Sequence, residues 1–266
     1  MSRTAILGMG VMGEALLSGL VRSGVNREEI VFADRGAERT SEIVRKYGVT
    51  SDTNSGAVAE ADTVVLVVKP QDMSGLLEEV ALHIQPTALV VSLAAGITTD
   101  FLQSRLPAGT PVVRVMPNTP ALVDKGMAAI SPGSHCDDEH LERAERLLQS
   151  TGKVIRVAEK HQDAITAISG SGPAYIFYVV EAMIEAGVLL GLPRNVATEL
   201  TVQTLLGAAT MLEETGEHPT VLRENVTSPA GTTVAALRKL DDHKVRAAFL
   251  SAMEAARDRS RELAQG

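Results

Sequence analysis

The chain has 266 residues, 45% of them hydrophobic and 22% charged, which predicts one large or two modest folded domains and argues against disorder. Its net charge is −8, and Lys and Arg form no clustered run, so a nucleic-acid partner is not expected. The single cysteine, Cys136, excludes an internal disulfide, and the six scattered histidines give no support to a metal site.

The N-terminal stretch "MSRTAILGMGVMGEALL" is apolar but differs from a signal peptide. It carries one positive charge, lacks a clear cleavage site and contains several glycines and Glu14. No apolar run approaches the roughly 20 residues that span a bilayer. These features predict a cytoplasmic protein without a membrane partner.

Short apolar runs of strand length recur along the first 157 residues, most of them rich in Val and Ile and uncharged. They are Thr4–Leu7, Ile30–Ala33, Thr63–Val68, Ala88–Leu93, Val112–Met116, Met127–Ile130 and Lys153–Val157. Such strands are buried on both faces, as in parallel sheets. Helix-length segments, such as Glu14–Ser23 and Arg39–Tyr47, separate the early strands. Strand and helix in alternation predict a doubly wound α/β sheet.

The first predicted strand runs into "GMGVMG", in which Gly8, Gly10 and Gly13 form a G-x-G-x-x-G motif. The motif follows a strand, opens a helix and precedes Asp34, 21 residues after Gly13. This is the context of a dinucleotide-binding fold. Gly8 would permit the tight turn, Gly10 the close approach of pyrophosphate, and Gly13 the packing of helix on strand. The alternative is a glycine-rich turn without a ligand.

The choice between NADH and NADPH stays open at the end of the second predicted strand. Asp34 is suited to the ribose diol of NADH and would repel a 2′-phosphate. Arg35 and Arg39 follow it and could hold the 2′-phosphate of NADPH, or could be solvated surface charges.

Three later strands end in small or polar residues, in "VVKPQ", "SLAAG" and "RVMPNTP". Ligands of open parallel sheets bind at the carboxyl ends of strands. Lys69 at such an end could meet a cofactor phosphate or a substrate carboxylate, although a lysine at a strand end is often only a surface charge.

After about residue 160 the pattern becomes helical, with candidate helices at His161–Leu190, Arg194–Thr215, Thr232–Leu240 and Asp242–Leu263. The first two are apolar around much of their circumference, more than a small domain can cover. Helices of a second subunit would cover them, so we expect a homodimer formed through this region.

Two segments interrupt the helical pattern. "SGSGPAY", Ser169–Tyr175, is either a kink with close packing or a close approach of the backbone to a ligand. In "ENVTSPAGTT", residues 224–233, Ser228 and Pro229 resemble an N-cap and a first helical residue. The glycine and hydroxyl residues that follow would expose amides at a helix N-terminus, where a small carboxylate can bind.

The sequence resembles pyrroline-5-carboxylate reductases over essentially its whole length. The resemblance rests on the glycine motif, "VVKP", "AAGI", "RVMPNTPA", "SGSGPAY", "GEHP" and "NVTSPAGTT", in this order. Ala230 stands where many members have glycine, and Asp34 where many have a small or hydroxyl residue that suits NADPH.

This resemblance implies reduction of 1-pyrroline-5-carboxylate to L-proline by NADPH or NADH, with NADPH favoured. It implies a Rossmann domain, residues 1–158, and an all-helical dimerisation and substrate domain, residues 159–266. It also implies active sites between subunits and dimers that can assemble into decamers. A reductase of another small imine or hydroxy acid, and a non-catalytic dinucleotide sensor, remain as alternatives.

The expected catalytic residue is Thr233, whose hydroxyl would bond the ring nitrogen of the substrate. Substrate binding is assigned to Ser228, Gly231, Thr232, Thr233, Glu159 and Lys69. Cofactor binding is assigned to Gly8, Met9, Gly10, Val11, Met12, Asp34, Arg35, Asn54, Val68, Lys69, Pro70, Ala95 and Asn225. Glu159 and Asn225 could instead be a surface charge and a helix-terminal amide.

Overall fold

The structure is a computed structural model that describes residues 3–265, without the side chains of residues 264 and 265. It divides into two compact units. The first contains the residues up to Ser171 together with those from Ala255 onward, and the second is Gly172–Glu254.

Eight strands are present in the described residues, all in the first unit. They are β1 (Thr4–Leu7), β2 (Ile30–Ala33), β3 (Thr50–Ser51), β4 (Thr63–Leu66), β5 (Leu89–Ser92), β6 (Val112–Met116), β7 (Gly126–Pro132) and β8 (Gly152–Arg156). The seven predicted strands are confirmed, with ends shifted by at most two residues, and β3 was not predicted. A strand of two residues is too short to leave a hydrophobic pattern.

The α-helices that precede the second unit number seven in the described part of the chain. They are α1 (Val11–Arg22), α2 (Ala37–Tyr47), α3 (Asn54–Ala59), α4 (Met73–Val80), α5 (Thr99–Gln103), α6 (Asp138–Gln149) and α7 (Gln162–Ile165).

The strands form one sheet in the order β3-β2-β1-β4-β5-β6-β7-β8. The first six positions have the order of a doubly wound dinucleotide-binding fold, and all their pairings are parallel. The predicted α/β fold with a Rossmann-type sheet is therefore confirmed.

Helices cover both faces of this sheet. Alternate residues of a strand point to opposite faces, and apolar residues on both faces need to be covered. On β1, Ile6 belongs to a core that contains Leu17 of α1 and Ile43 of α2. Ala5 and Leu7 belong to the opposite core, with Leu77 of α4. Burial on both faces explains why these strands are uncharged in sequence.

The uniform apolar runs suggested a sheet that is parallel throughout, but one pairing in this sheet is antiparallel. Strand β7 pairs antiparallel with β6 and parallel with β8. Only residues 117–125 connect β6 to β7, and a parallel return requires a crossover of about a dozen residues or more. The short connection therefore forces β7 to run back beside β6.

Residues 159–171 pack against the sheet, so the first unit extends beyond the predicted boundary after residue 158. Gln162 is fully buried, and its Nε2 donates to the Ala129 carbonyl at 3.2 Å and the Ser131 hydroxyl at 2.8 Å. Asn118 bridges the backbones of Met127 and Ser169.

A π-helical turn, Thr166–Gly170, includes the first two residues of the "SGSGPAY" segment. A Cβ on Gly170 would lie 2.4 Å from Cε of Met116 at the end of β6. A larger residue at this position would have to displace the end of the Met116 side chain, and the role of the segment stays a prediction.

The second unit is helical. Its helices are α8 (Gly172–Leu189), α9 (Arg194–Thr215), α10 (Pro219–Asn225), α11 (Thr232–Asp242) and the first part of α12 (Val245–Gln265). The ends of α9 and the start of α11 are as predicted, while α10 was missed. The sequence does contain a start signal for α10, since His218 caps the amide of Thr220 and Pro219 occupies the first helical position.

Few side chains of the second unit are buried within the chain. Of residues 172–254, all of which are described, only Ala197 and Thr201 are buried. The helical stretch Glu159–Leu189 is long and apolar enough by composition to cross a membrane. That criterion is weak evidence, because a helix covered by another subunit meets it equally well.

Candidate active site

The glycine loop after β1 has the geometry that the motif predicts. Gly8 has φ +102°, and a Cβ there would lie 2.6 Å from the Val67 carbonyl oxygen. A Cβ on Gly13 would lie 2.1 Å from the Gly8 carbonyl oxygen, so α1 could not pack this closely on the loop. A Cβ on Gly10, in contrast, would meet nothing within 4 Å. The space above Gly10 is open.

Helix α1 begins directly after this open position. Its N-cap is Gly10, and no side chain caps it. The first amides of a helix have no partner within the helix and carry a partial positive charge. The loop therefore offers free donors and space to a pyrophosphate, and a dinucleotide fits the residues present.

Several other predicted cofactor residues follow the carboxyl ends of neighbouring strands. Leu7 of β1 is paired with Ala33 of β2 and Leu66 of β4, and Leu66 with Ser92 of β5. Gly8, Asp34, Val68 and Ala95 consequently follow strand ends at one edge of the sheet. Within this group Val68 is half-buried and Ala95 is exposed.

Lys69, Pro70 and Asn54 lie in the same unit with different surroundings. Lys69 and Pro70 are exposed, and the Lys69 ammonium makes no hydrogen bond or ion pair within the described residues. Asn54 begins α3, and its side-chain amide donates to Glu79 at 2.9 Å.

Asp34 at the end of β2 is fixed by two backbone amides. Its Oδ2 accepts from Met9 N at 2.7 Å, and its Oδ1 accepts from Gly36 N at 2.8 Å. The neighbouring Arg35 is 72% exposed and forms an ion pair with Asp72 at 3.1 Å.

Glu159 has both carboxylate oxygens engaged. It accepts from the Thr99 amide at 2.8 Å, the Thr99 hydroxyl at 2.6 Å and Arg114 at 3.1 Å. Arg114 lies on β6 and is only 7% exposed in its side chain. Sequence reasoning missed Arg114 and Thr99, although an arginine within the apolar run "VVRVM" signals a buried cation that needs a carboxylate.

The segment "TSPAGTT" in the second unit begins with a tight turn. Gly231 N donates to the Ser228 carbonyl at 3.1 Å, and Ala230 has φ +59°. With the ring of Pro229 holding φ near about −65°, these angles are typical of a type II turn. The prediction of Ser228 as N-cap and Pro229 as first helical residue is therefore wrong.

Helix α11 starts at Thr232, three residues after Pro229. Its N-cap is Gly231, and no side chain caps it. The hydroxyls of Ser228, Thr232 and Thr233 make no hydrogen bond within the described residues. By contrast, the Thr198 and Thr210 hydroxyls donate to carbonyls four residues earlier. No helical carbonyl precedes Thr233 by four residues, so its hydroxyl is free to bond a ligand.

The remaining predicted residue, Asn225, ends α10 and is exposed. Ser228 and Thr232 are exposed too, whereas Gly231 and Thr233 are half-buried. Among residues 3–265, no group of three or more His, Cys, Asp and Glu side chains is placed to hold a metal ion.

Comparison with known proteins covers both units of the chain. Residues 159–263 match the family described as pyrroline-5-carboxylate reductase dimerisation, and residues 3–96 match NADP oxidoreductase coenzyme F420-dependent. A pyrroline-5-carboxylate reductase of Corynebacterium melassecola is 48% identical over 99% of both chains. The chain belongs to the pyrroline-5-carboxylate reductase family.

Solved structures agree. The pyrroline-5-carboxylate reductase of Coxiella burnetii has a TM-score of 0.92 and 37% identity, over 98% of each chain. That of Plasmodium falciparum, solved with NADP bound, has a TM-score of 0.89 and 26% identity, over 99% of this chain and 98% of its own.

Membership in the pyrroline-5-carboxylate reductase family confirms the predicted family, the oxidoreductase class and a nicotinamide dinucleotide cofactor. The dimerisation match also supports self-association through the helical region. The individual site residues, the decamer and the cytoplasmic location stay predictions.

Proposed function

We propose that this chain reduces 1-pyrroline-5-carboxylate to L-proline with a nicotinamide dinucleotide, the last step of proline biosynthesis. One observation carries the proposal: a chain of this family combines an open glycine cradle at Gly10 with an uncapped helix start at Gly231. The first feature suits a pyrophosphate and the second a small carboxylate.

A bound dinucleotide would supply the hydride that the C=N carbon of the imine accepts, and the ring nitrogen would take its proton from water. The amides of Thr232 and Thr233 hold the substrate carboxylate, aided by the positive end of α11. The Gly231 amide, which the sequence assigned to this role, donates instead to the Ser228 carbonyl in the turn. The Thr233 hydroxyl donates to the ring nitrogen, which makes the imine a better hydride acceptor. No acyl intermediate forms, so no nucleophilic triad is required.

The other predicted residues have supporting parts in this proposal. The exposed ammonium of Lys69 attracts a phosphate or the substrate carboxylate, and Ser228 lies beside the amides of α11. Glu159 orders the loop after β5 through Thr99. Catalysis then rests mainly on holding donor and acceptor together. The proposal includes a cytoplasmic homodimer that can assemble into a decamer.

The proposal favours NADH over NADPH as the reductant, although the family resemblance favours NADPH. Asp34 is held beside the loop by the Met9 amide, so its negative charge would face a 2′-phosphate brought there. Asp34→Ser should raise the ratio of kcat/KM for NADPH to that for NADH by about tenfold, which corresponds to about 1.4 kcal/mol. An unchanged ratio would remove Asp34 from cofactor selection.

The decisive experiment is a spectrophotometric assay with 1-pyrroline-5-carboxylate, run in parallel with NADH and NADPH. A panel of other cyclic imines and hydroxy acids serves as the control. Faster turnover of a panel member would favour the related-reductase alternative. Dinucleotide binding without oxidation by any substrate would favour a sensor.

A further inference from the structure

Arg39 at the start of α2 uses all three of its guanidinium nitrogens within the protein. Its Nε donates to the Met9 carbonyl at 2.7 Å, one terminal nitrogen donates to Glu42 at 2.8 Å, and the other pairs with Glu14. The side chain is 27% exposed. A planar guanidinium engaged on three sides has a fixed orientation.

Its partner Glu14, in the first turn of α1, is held by further groups. Lys46 donates to it at 2.7 Å and the Tyr47 hydroxyl at 2.9 Å. Burial alone would raise the pKa of Glu14, but the hydrogen bonds from Lys46, Arg39 and Tyr47 lower it to about 2. Glu14 is therefore a carboxylate at neutral pH and a permanent partner for Arg39.

These contacts converge on the peptide groups of Met9, the residue between the first two glycines of the motif. Its N–H donates to Asp34 and its C=O accepts from Arg39. Its side chain is buried, with 1% exposed. Both polar groups of Met9 are thus anchored by charged side chains, immediately before the open position at Gly10.

We infer that Arg39, supported by Glu14, is a positioning residue that fixes the glycine loop for the pyrophosphate of either dinucleotide. This role differs from that of a 2′-phosphate ligand, because the three contacts of Arg39 are made to Met9, Glu42 and Glu14 of the chain itself. The inference rests on the proposed dinucleotide function and assigns Arg39 a role that is independent of cofactor choice.

The test measures the dissociation constants of NADH and NADPH for Arg39→Met. We expect both to rise by about tenfold, the usual effect of losing a charge-assisted hydrogen bond, with their ratio unchanged within about twofold. Arg39→Lys should recover part of the affinity for both, because an ammonium can keep the pairing with Glu14. Arg45→Met, which removes an exposed positive charge from the same helix, should leave both constants unchanged.

A general loss of structure is separated from positioning by a double-mutant cycle. Glu14→Gln should weaken both dinucleotides in parallel, and the double variant with Arg39→Met should lose less than the product of the single effects. Thermal unfolding and circular dichroism verify that each variant is folded.

For Arg39→Met, a dissociation constant that rises only for NADPH, or for neither dinucleotide, would overturn this inference and leave the proposed function standing. Independent effects of the Glu14 and Arg39 substitutions would overturn the supporting role of Glu14. If the wild-type protein bound neither dinucleotide, the proposed function would fail and this inference with it.

Discussion

Thr233 is the side chain on which the proposed chemistry depends most directly. Its hydroxyl lies in the first turn of α11 and, within the described residues, is not used by the protein itself. Loss of one hydrogen bond to a reacting nitrogen costs about 1.5–3 kcal/mol when the nitrogen gains charge. Thr233→Ala should therefore lower kcat by about tenfold to a hundredfold and leave dinucleotide affinity nearly unchanged.

The controls separate this hydroxyl from a general effect of threonine removal. Thr233→Ser keeps the hydroxyl and should recover most of the turnover. Thr210→Ala removes a hydroxyl that bonds only its own helix and should leave kcat unchanged. Wild-type kcat in Thr233→Ala, measured with 1-pyrroline-5-carboxylate, would remove Thr233 from the mechanism.

Single residues also mark the limit of what sequence can predict about the site. The glycine spacing identifies the loop, because a Cβ at Gly8 or Gly13 would clash with the backbone, so the motif requires glycine at both positions. Met9, the partner that Asp34 and Arg39 share, lies 25 residues from the first and 30 from the second in the chain. No local periodicity records such contacts, so Arg39 was indistinguishable from a surface charge or a phosphate ligand.

At the scale of elements, the buried strands were predictable because burial on both faces demands continuous apolar residues. The direction of β7 was not encoded in its own residues and depended on the length of the preceding connection. Likewise, Ser228 and Pro229 have the composition of a helix start but form a turn before one. Helix caps and type II turns favour the same residues, so composition could not separate them.

The turn before α11 carries a backbone strain that can be measured. Ala230 has φ +59°, a left-handed conformation that costs an L-residue about 1 kcal/mol. Ala230→Gly should raise the free energy of unfolding by about 0.5–1 kcal/mol, since glycine adopts this conformation without the steric penalty.

The matched control is Ala236→Gly, an exposed position within α11. There glycine should lower the free energy of unfolding by about 1 kcal/mol, because helical φ/ψ favours alanine. Urea unfolding of both variants at one protein concentration checks the opposite signs. Destabilisation by Ala230→Gly would show that the turn is not strained in solution.

At the scale of the whole molecule, the two units differ in how much apolar surface they bury. The sheet unit has two continuous cores. The helical unit leaves large side chains exposed, including Phe177 at 67%, Leu206 at 59% and Leu200 at 55%. Exposed apolar surface of this extent marks an interaction site, and the dimerisation match over residues 159–263 identifies a second copy of the chain as the partner.

Two leucines on α9 test this association. Each leucine buried on assembly contributes about 1.5–3 kcal/mol, and a glutamate in its place would also bury a charge. Leu200→Glu combined with Leu206→Glu should therefore weaken self-association by at least about a hundredfold. Sedimentation at micromolar concentration should show an assembled wild-type protein and a monomeric double variant.

Leu82→Glu provides the matched control, because Leu82 is 91% exposed and lies in the sheet unit. The same chemical change there should leave the sedimentation coefficient unchanged, since the dimerisation match begins at residue 159. A wild-type monomer at micromolar concentration would contradict the assignment of the exposed helices to self-association. If Leu82→Glu weakened self-association as much as the α9 double variant does, the contact between subunits would lie on the sheet unit. The two variants therefore locate the interface as well as testing it.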